Sequence, residues 1–328
     1  MANTYTVGIV SDIHFASAAE QARGNDYEWR DVTNPLLRFL IRFYRRHLWL
    51  RDPLNQNHLL DRFLERSNGF DYLIANGDYA VNTSCFGLSD DAALQGATEC
   101  IEKLRQKFGD KLRLNIGDHE LGKLSIVGGR GGMRLASWQR AIQQLKLEPF
   151  WQLQLGNYVL LNVVSSLVAF PAFEADARSS ERAQWQELRT AHLDQVRQAF
   201  DSLKPTQRIV LFCHDPTALP FLWKEESVRS RLPQLEQTII GHLHSNLILW
   251  KSRLLAGIPR ITFLGHTAKK LSSALREARH WRFFRVRLCP ALAGIELLKD
   301  GGYLTAELET DARQSAKFQL HRLPHSAK

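Results

Sequence analysis

Aspartate and histidine recur at five places along the chain, each time directly after a short apolar run. The residues concerned are Asp12, His14, Asp78, Asp118, His119, His214, His242 and His244. Carboxylate and imidazole together suit Mn, Fe, Zn or Ni, whereas no cysteine pair has the spacing of a structural zinc site. A site of this composition can hold two divalent ions, and such pairs clamp phosphoryl oxygens during an in-line displacement.

The apolar runs that precede these residues are predicted to be buried strands, at 5–10, 70–75, 111–116, 207–212 and 237–240. Residues i and i+2 of a strand point the same way, so Asp12 and His14 can reach one ion, and so can His242 and His244. Ligand sites of open α/β sheets assemble at the carboxyl ends of strands. The pattern therefore predicts that all five places meet at one edge.

Other segments complete an alternating α/β pattern. A hairpin is expected over 150–164 around Gly156 and Asn157, a strand at 261–264, and a second hairpin from 281–288 and 303–308. Helices are expected at 35–50, 56–66, 90–108, 135–147 and 181–203. No repeat or linker stands out, so residues 1–328 are expected to form one domain, with a helical insertion at 34–66 and a basic C-terminal extension at 247–328.

The ordered motifs between residues 12 and 244 resemble those of the calcineurin-like metallophosphoesterases. The resemblance implies an α/β fold, namely a four-layer αββα sandwich with inserted helices and a dinuclear metal centre, Mn being favoured. It assigns Asp12, His14 and His244 to one ion, Asp118, His214 and His242 to the other, and Asp78 as the bridge between them. His119 matches the family's catalytic histidine, which is not a ligand and contacts the phosphate or protonates the leaving oxygen.

One residue departs from the family pattern. Asp118 stands where the family usually has Asn, so the site gains a negative charge and loses an amide donor. Basic side chains would have to restore the attraction for an anionic substrate, and Arg130 and Arg134 beside the glycine-rich loop are candidates. An enzyme with altered metal preference is expected, and a degenerate binding module is the alternative.

The segment 34–50 has the pattern of an amphipathic helix, opened by Asn34 as cap and Pro35 in the first turn. Its arginines fall within a sector of roughly 100°. These are Arg38, Arg42, Arg45 and Arg46. A broad apolar face fills the rest, which is typical of a helix at a membrane interface. A lid over an acyl-bearing substrate would look the same, and so would a helix packed on the domain with its arginines in water.

The net charge of +9 lies in the C-terminal part of the chain. Residues 247–328 hold 15 Lys and Arg against 6 Asp and Glu. Such a segment suits an anionic membrane surface or, alternatively, nucleic acid. Lys269 and Lys270 follow the predicted strand 261–264 and are candidates for holding a substrate phosphate.

Composition is that of a globular protein, since 44% of the 328 residues are apolar and 23% are charged. No stretch is apolar enough for a membrane span. The N-terminus lacks the pattern of a signal peptide, and the four scattered cysteines are expected to be reduced, so a cytoplasmic protein is expected, peripheral on the inner membrane face.

The chain is therefore expected to be a metal-dependent phosphoesterase acting on an amphiphilic phosphorylated substrate. In style it is similar to the UDP-2,3-diacylglucosamine hydrolases of lipid A biosynthesis, which also carry apolar, arginine-bearing insertions beside the site. A nuclease or cyclic-nucleotide phosphodiesterase is one alternative, and a non-catalytic metal-bound scaffold that docks on membranes or partners is another. The sequence leaves the metals, the physiological substrate and the oligomeric state open, and it indicates no protein partner.

Overall fold

Ten strands form two five-stranded sheets in the computed structural model, which describes residues 4–125, 130–261 and 265–323. The strands are β1 Thr4–Val10, β2 Tyr72–Ala75, β3 Leu112–Leu114, β4 Gln152–Leu155, β5 Tyr158–Val163, β6 Arg208–Cys213, β7 Leu235–Ile240, β8 Val286–Leu288, β9 Gly302–Glu309 and β10 Lys317–Arg322. The first sheet has the order β10-β9-β1-β2-β3, and the second has the order β4-β5-β6-β7-β8.

In both sheets the central strands run parallel. β1, β2 and β3 pair in parallel in the first sheet, and β5, β6, β7 and β8 do so in the second. Their carboxyl ends therefore lie on one edge of each sheet. β4 and β5 are joined by the predicted turn at Gly156 and Asn157.

The two sheets pack face to face and bury an apolar core between them. Ile9 and Ile74 of the first sheet meet Leu160 and Phe212 of the second in this core. Because side chains alternate along a strand, neighbouring residues such as Leu73 and Val159 point outward into two further cores that helices cover. The molecule is thus a four-layer αββα sandwich, as expected from the sequence.

Helices surround the sheets and fill the connections. They are α1 Ala18–Arg23, α2 Pro35–His47, α3 His58–Arg66, α4 Asp91–Phe108, α5 Asp118–Leu121, α6 Leu135–Gln143, α7 Ser165–Val168, α8 Phe170–Phe173, α9 Arg182–Asp201, α10 Leu219–Leu222, α11 Glu226–Arg231, α12 Asn246–Leu254 and α13 Gly265–Glu277. Among the described residues, no helix has the length and apolarity needed to cross a membrane. The four cysteines are buried and unpaired.

The C-terminal segment differs from the prediction in its strands. Residues 278–284 form a 3-10 helix, and only Val286–Leu288 continue as a strand, so the strand expected over 281–288 is mostly wrong. β8 pairs with β7 and β9 pairs with β1, so the expected hairpin between them does not form. The segment supplies strands to both sheets and is part of the sandwich. The strand expected at 261–264 falls mainly on residues outside those described.

Candidate metal centre

The predicted ligands come together where the carboxyl edges of the two sheets meet. Those from the first sheet follow β1, β2 and β3, and those from the second follow β6 and β7. Their side chains form two clusters, and within each cluster one ligand atom per residue lies within 4.8 Å of the others. One cluster contains Asp12, His14 and His244, and the other contains Asp78, Asp118, His214 and His242.

Asp78 lies between the two clusters. Its carboxylate also lies within 4.8 Å of ligand atoms of His14 and His119, and its Oδ2 is 3.2 Å from His214 Nε2. It is 1% exposed, and apart from the half-exposed His242 the other ligands are buried too. The geometry therefore matches a pair of ions that share one carboxylate.

Five of the seven predicted ligands have left-handed backbone. The φ angle is 50° at Asp12, 52° at His14, 60° at Asp78, 61° at His242 and 59° at His244. For residues with a Cβ this conformation costs of order 1–3 kcal/mol each and persists only where the surroundings impose it. Strain of this kind concentrates at functional sites, and here it turns each side chain sharply away from the end of its strand.

The orientation of the histidines fits a cation. His14 Nδ1 lies 3.3 Å from the carbonyl oxygen of Ala80, and His214 Nδ1 lies 2.6 Å from that of Asn76. When the ring is neutral, donation to these carbonyls leaves Nε2 free to bind a cation, which is the usual arrangement for a histidine ligand. His14 Nε2 then faces His244 Nε2 at 3.2 Å, with Asp12 Oδ1 3.4 Å from the latter. Lone pairs and a carboxylate converge on one point, so a divalent ion fits this donor set.

In the second cluster, histidine side chains balance the negative charge of the carboxylates. Asp118 Oδ1 lies 3.2 Å from His214 Nε2 and 2.9 Å from His242 Nδ1. Burial disfavours ionisation of Asp118, but His242, His214 and Lys123 outweigh it and hold its pKa well below the usual range. Burial likewise opposes charge on His242, yet Asp118 and Asp215 raise its pKa to about 9. A cation bound here would take the place of these imidazole protons.

Glu120 holds the loops that carry the ligands. Its carboxylate accepts hydrogen bonds from the backbone N–H groups of Asp78 at 2.9 Å, Tyr79 at 2.8 Å and Gly117 at 2.8 Å. Glu120 is completely buried. It therefore fixes the turn after β2 against the turn after β3. The motif itself carried a signal for this role, since a Glu three residues after the residue that begins a helix is the acidic partner of a capping box.

His119 and Lys123 lie side by side at the edge of the centre. His119 Nδ1 is 2.9 Å from the carbonyl oxygen of Val81, so Nε2 is the acceptor and receives a hydrogen bond from Lys123 Nζ. Burial and the neighbouring Lys123 lower the pKa of His119 to about 3. The ring is thus neutral near pH 7, and its Nε2 accepts a proton rather than offering one. Lys123 was not among the residues singled out from the sequence.

The inserted helix α2 lies beside the centre and exposes many of its apolar side chains. No residue of α2 is buried, and Leu36 is 66% exposed, Phe39 62%, and Leu40 and Phe43 51% each. After the helix, the ring of Trp49 lies 4.8 Å from that of the ligand His244. The apolar face thus points into solvent close to the metal centre.

The arginines of α2 have mixed surroundings. Arg42 is exposed, and its Nε donates to Asp26 Oδ2 at 3.1 Å, while Arg45 Nη2 lies 2.7 Å from Glu28 Oε2. Arg45 also stacks on the ring of Trp29, and Arg38 is half-buried. Arg46 is exposed and lines a shallow cavity of about 270 Å³ together with His47, Arg51, Glu296 and Leu297. Two of the four predicted membrane contacts therefore have protein partners, and contact of this helix with a membrane stays a prediction.

Three of the four predicted substrate-binding cations have partners within the protein. Arg130 Nε pairs with Asp31 at 3.2 Å, and Arg134 donates to backbone carbonyls of its own loop. Lys270 pairs with Asp176, and Lys269 is exposed on α13. The cation that does reach the ligands is Lys123.

Comparison with known proteins gives a distant likeness in structure alone. No protein-family model and no curated protein matches the sequence. Phosphopantetheinyl hydrolase (PptH) from Mycobacterium tuberculosis is 13% identical over 74% of this chain and 84% of its own, with a TM-score of 0.36. A purple acid phosphatase from yellow lupin (Lupinus luteus) seeds is 11% identical over 74% of this chain and 38% of its own, with a TM-score of 0.36.

A dimetal phosphatase from Danio rerio is 14% identical over 93% of this chain and 92% of its own, with a TM-score of 0.38. At such identities and TM-scores these likenesses carry no argument about function. The assignment of the fold rests on the order and packing of the two sheets, and the interpretation of the site rests on its own geometry.

Proposed function

We propose that this protein is a dinuclear-metal phosphoesterase. The observation that carries the proposal is the pair of ligand clusters at one edge of the sandwich, with Asp78 between them. Asp12, His14 and His244 would hold one ion, and Asp118, His214 and His242 the other. When bound, two divalent ions supply Lewis-acid polarisation of a phosphoryl group and activation of water.

The protein's own residues would position the reacting groups. Glu120 keeps the turn of Asp78 fixed relative to Gly117, so the shared carboxylate stays in place as the substrate binds. His119 lies beside the clusters, with its ring 4.6 Å from that of His14. We place it against the substrate phosphate or the leaving oxygen, and it must take up a proton before it can protonate that oxygen.

The favoured substrate is an amphiphilic phosphoester or pyrophosphate at a membrane surface. The support is the outward apolar face of α2, which a substrate with acyl chains or the lipid around it would cover. UDP-2,3-diacylglucosamine at the inner membrane face is a specific compound of this class. The basic residues of 247–328 favour an anionic surface. They also suit nucleic acid, so a nuclease is a second outcome to test.

Hydrolysis assays test this function directly. Metal-free protein is reloaded with Mn²⁺ and incubated separately with bis(p-nitrophenyl) phosphate, UDP-2,3-diacylglucosamine and an oligonucleotide. Asp78→Asn should abolish turnover, whereas Asp110→Asn, at an exposed aspartate, should preserve it. If the protein cleaves the soluble diester or the oligonucleotide but not the lipid, the proposed phosphoesterase activity is supported and the proposed amphiphilic substrate is contradicted. No turnover of any compound, with two ions bound, would favour a non-catalytic scaffold.

A further inference from the structure

Lys123 is placed to interact with whatever anion the metal centre binds. Its Nζ donates to His119 Nε2 and lies 4.0 Å from Asp118 Oδ2. The side chain is 37% exposed, so its ammonium group borders both the buried ligands and solvent. Within the described residues, no other lysine or arginine lies within 4.0 Å of a carboxylate of Asp12, Asp78 or Asp118.

The backbone of Lys123 is fixed on both sides. Its N–H donates to the carbonyl oxygen of Cys85 at 3.1 Å, and its own carbonyl accepts from the N–H of Gly132 at 2.9 Å. Gly132 has a φ of 100°, and a Cβ at this position would collide with the carbonyl oxygen of Asp176, so the backbone at Gly132 is closely packed. The flexible part of Lys123 is therefore its side chain, which starts from a defined point beside Asp118.

Asp118 creates a need for such a cation. Three carboxylates, from Asp12, Asp78 and Asp118, carry three negative charges against the four positive charges of two divalent ions. A neutral amide at position 118 would leave one more positive charge for an anionic substrate and would supply an N–H donor. Lys123 restores both, because its ammonium group adds one positive charge and three donors.

We propose that Lys123 binds a non-bridging phosphoryl oxygen of the substrate and compensates the charge of Asp118. This inference rests on the proposed phosphoesterase function and names a substrate-binding residue within it. Lys123 would exchange its hydrogen bond with His119 Nε2 for one with the phosphoryl oxygen. His119 Nε2 is then released toward the same substrate. The side chains of Arg130 and Arg134 are already engaged elsewhere and do not compete for this role.

The test measures binding of inorganic phosphate by isothermal titration calorimetry on protein whose two-ion Mn²⁺ content has been verified by elemental analysis. Charge-assisted hydrogen bonds predict that Lys123→Met weakens phosphate binding about 10- to 100-fold. Lys123→Arg should restore most of the affinity. Lys111→Met, at an exposed lysine, is the matched control and should bind phosphate like the wild type.

A double variant tests the pairing with Asp118. Asp118→Asn combined with Lys123→Met has the same net charge as the wild type, so its phosphate affinity should recover to within several-fold of the wild-type value. The KM for bis(p-nitrophenyl) phosphate should follow the phosphate affinity across the series. The inference is overturned if Lys123→Met binds phosphate like Lys111→Met, or if the double variant binds no better than Lys123→Met. If instead the wild type loaded with Mn²⁺ neither binds phosphate nor cleaves the diester, the proposed function itself fails.

Discussion

The exposed apolar face of α2 leads to a prediction about membrane binding. Phe39 and Phe43 are 62% and 51% exposed, and full burial of such a side chain is worth about 1.5–3 kcal/mol. Covering the exposed half or so of each ring should therefore contribute about 2–3.5 kcal/mol in total. Replacing both by Glu removes this contribution, so binding to lipid vesicles should weaken roughly 30- to 400-fold.

Vesicle flotation is the assay, with phosphatidylethanolamine and phosphatidylglycerol vesicles and a quantified bound fraction. Because no residue of α2 is buried, the double variant should keep its melting temperature and its turnover of a soluble diester. A variant with Gln184→Glu and Gln198→Glu, both at exposed positions, changes the net charge equally and should bind like the wild type. Wild-type binding should also survive 0.5 M salt better than a purely electrostatic attraction would, since apolar burial is not screened.

Two results would refute this reasoning. If the Phe39 and Phe43 variant binds vesicles as tightly as the wild type, the apolar face does not contact lipid. If the wild type is a dimer in solution and the variant a monomer, with no vesicle binding by either, the face is covered by a second copy of the chain.

Four further predictions concern the centre and the core. Asp118→Ala should leave the second ion bound at less than stoichiometric amounts and reduce turnover, and elemental analysis after gel filtration checks this. Glu120→Ala leaves three buried N–H groups without their acceptor, so urea unfolding should show a loss of about 3–9 kcal/mol in the free energy of unfolding, at about 1–3 kcal/mol per group. Burial raises the pKa of Glu20 to about 7, so the folded state binds a proton more tightly than the unfolded state. Glu20 therefore stabilises the folded state at low pH, and this contribution of about 3 kcal/mol to the free energy of unfolding is lost as the pH rises from about 4.5 to about 7. Glu20→Gln should remove this part of the pH dependence, which urea unfolding at several pH values measures. Chelation of the metals should lower the melting temperature of the wild type, measured by calorimetry, because bound ions stabilise the folded state by mass action, whereas a variant already lacking Asp78 should respond less.

The clustering of the predicted ligands was predictable because each motif is local and the strands before it are parallel. β1, β2 and β6 were expected at 5–10, 70–75 and 207–212 and form at Thr4–Val10, Tyr72–Ala75 and Arg208–Cys213. Parallel pairing then brings the residues after them to one edge without any further information. That the two sheets meet at these edges followed from the family resemblance and not from the strands themselves.

The orientation of α2 was not predictable from its own sequence. A helical projection separates arginine from apolar residues but does not say which face meets the protein. The partners of Arg42 and Arg45, namely Asp26, Glu28 and Trp29, lie in and beside the short 3-10 helix Tyr27–Trp29 that precedes α2. These contacts hold one side of α2 to the protein and leave much of the apolar face exposed.

The misassigned strand at 281–288 did carry a signal that was overlooked. Ala278, Trp281 and Phe284 are all buried and are spaced three residues apart, which matches the three residues per turn of a 3-10 helix. Arg285 then takes a left-handed φ of 45°, which ends the helix and lets β8 begin. Alternation of aromatic and basic residues suggested a strand, but the period of three was the stronger pattern.

The position of Lys123 shows why the substitution at 118 need not mark a degenerate site. An extra carboxylate among buried anions would be costly without compensation, since burial disfavours its charged form. The compensating ammonium group comes from five residues further along the same chain, on a backbone held to Cys85 and Gly132. A degenerate centre has no reason to keep left-handed backbone at five ligands, a buried Glu120 bound to three amides, and a lysine directed at the one ligand that differs. These features each cost stability or conformational freedom, and the proposed binding of two cations with an anion beside them would give all three a common use.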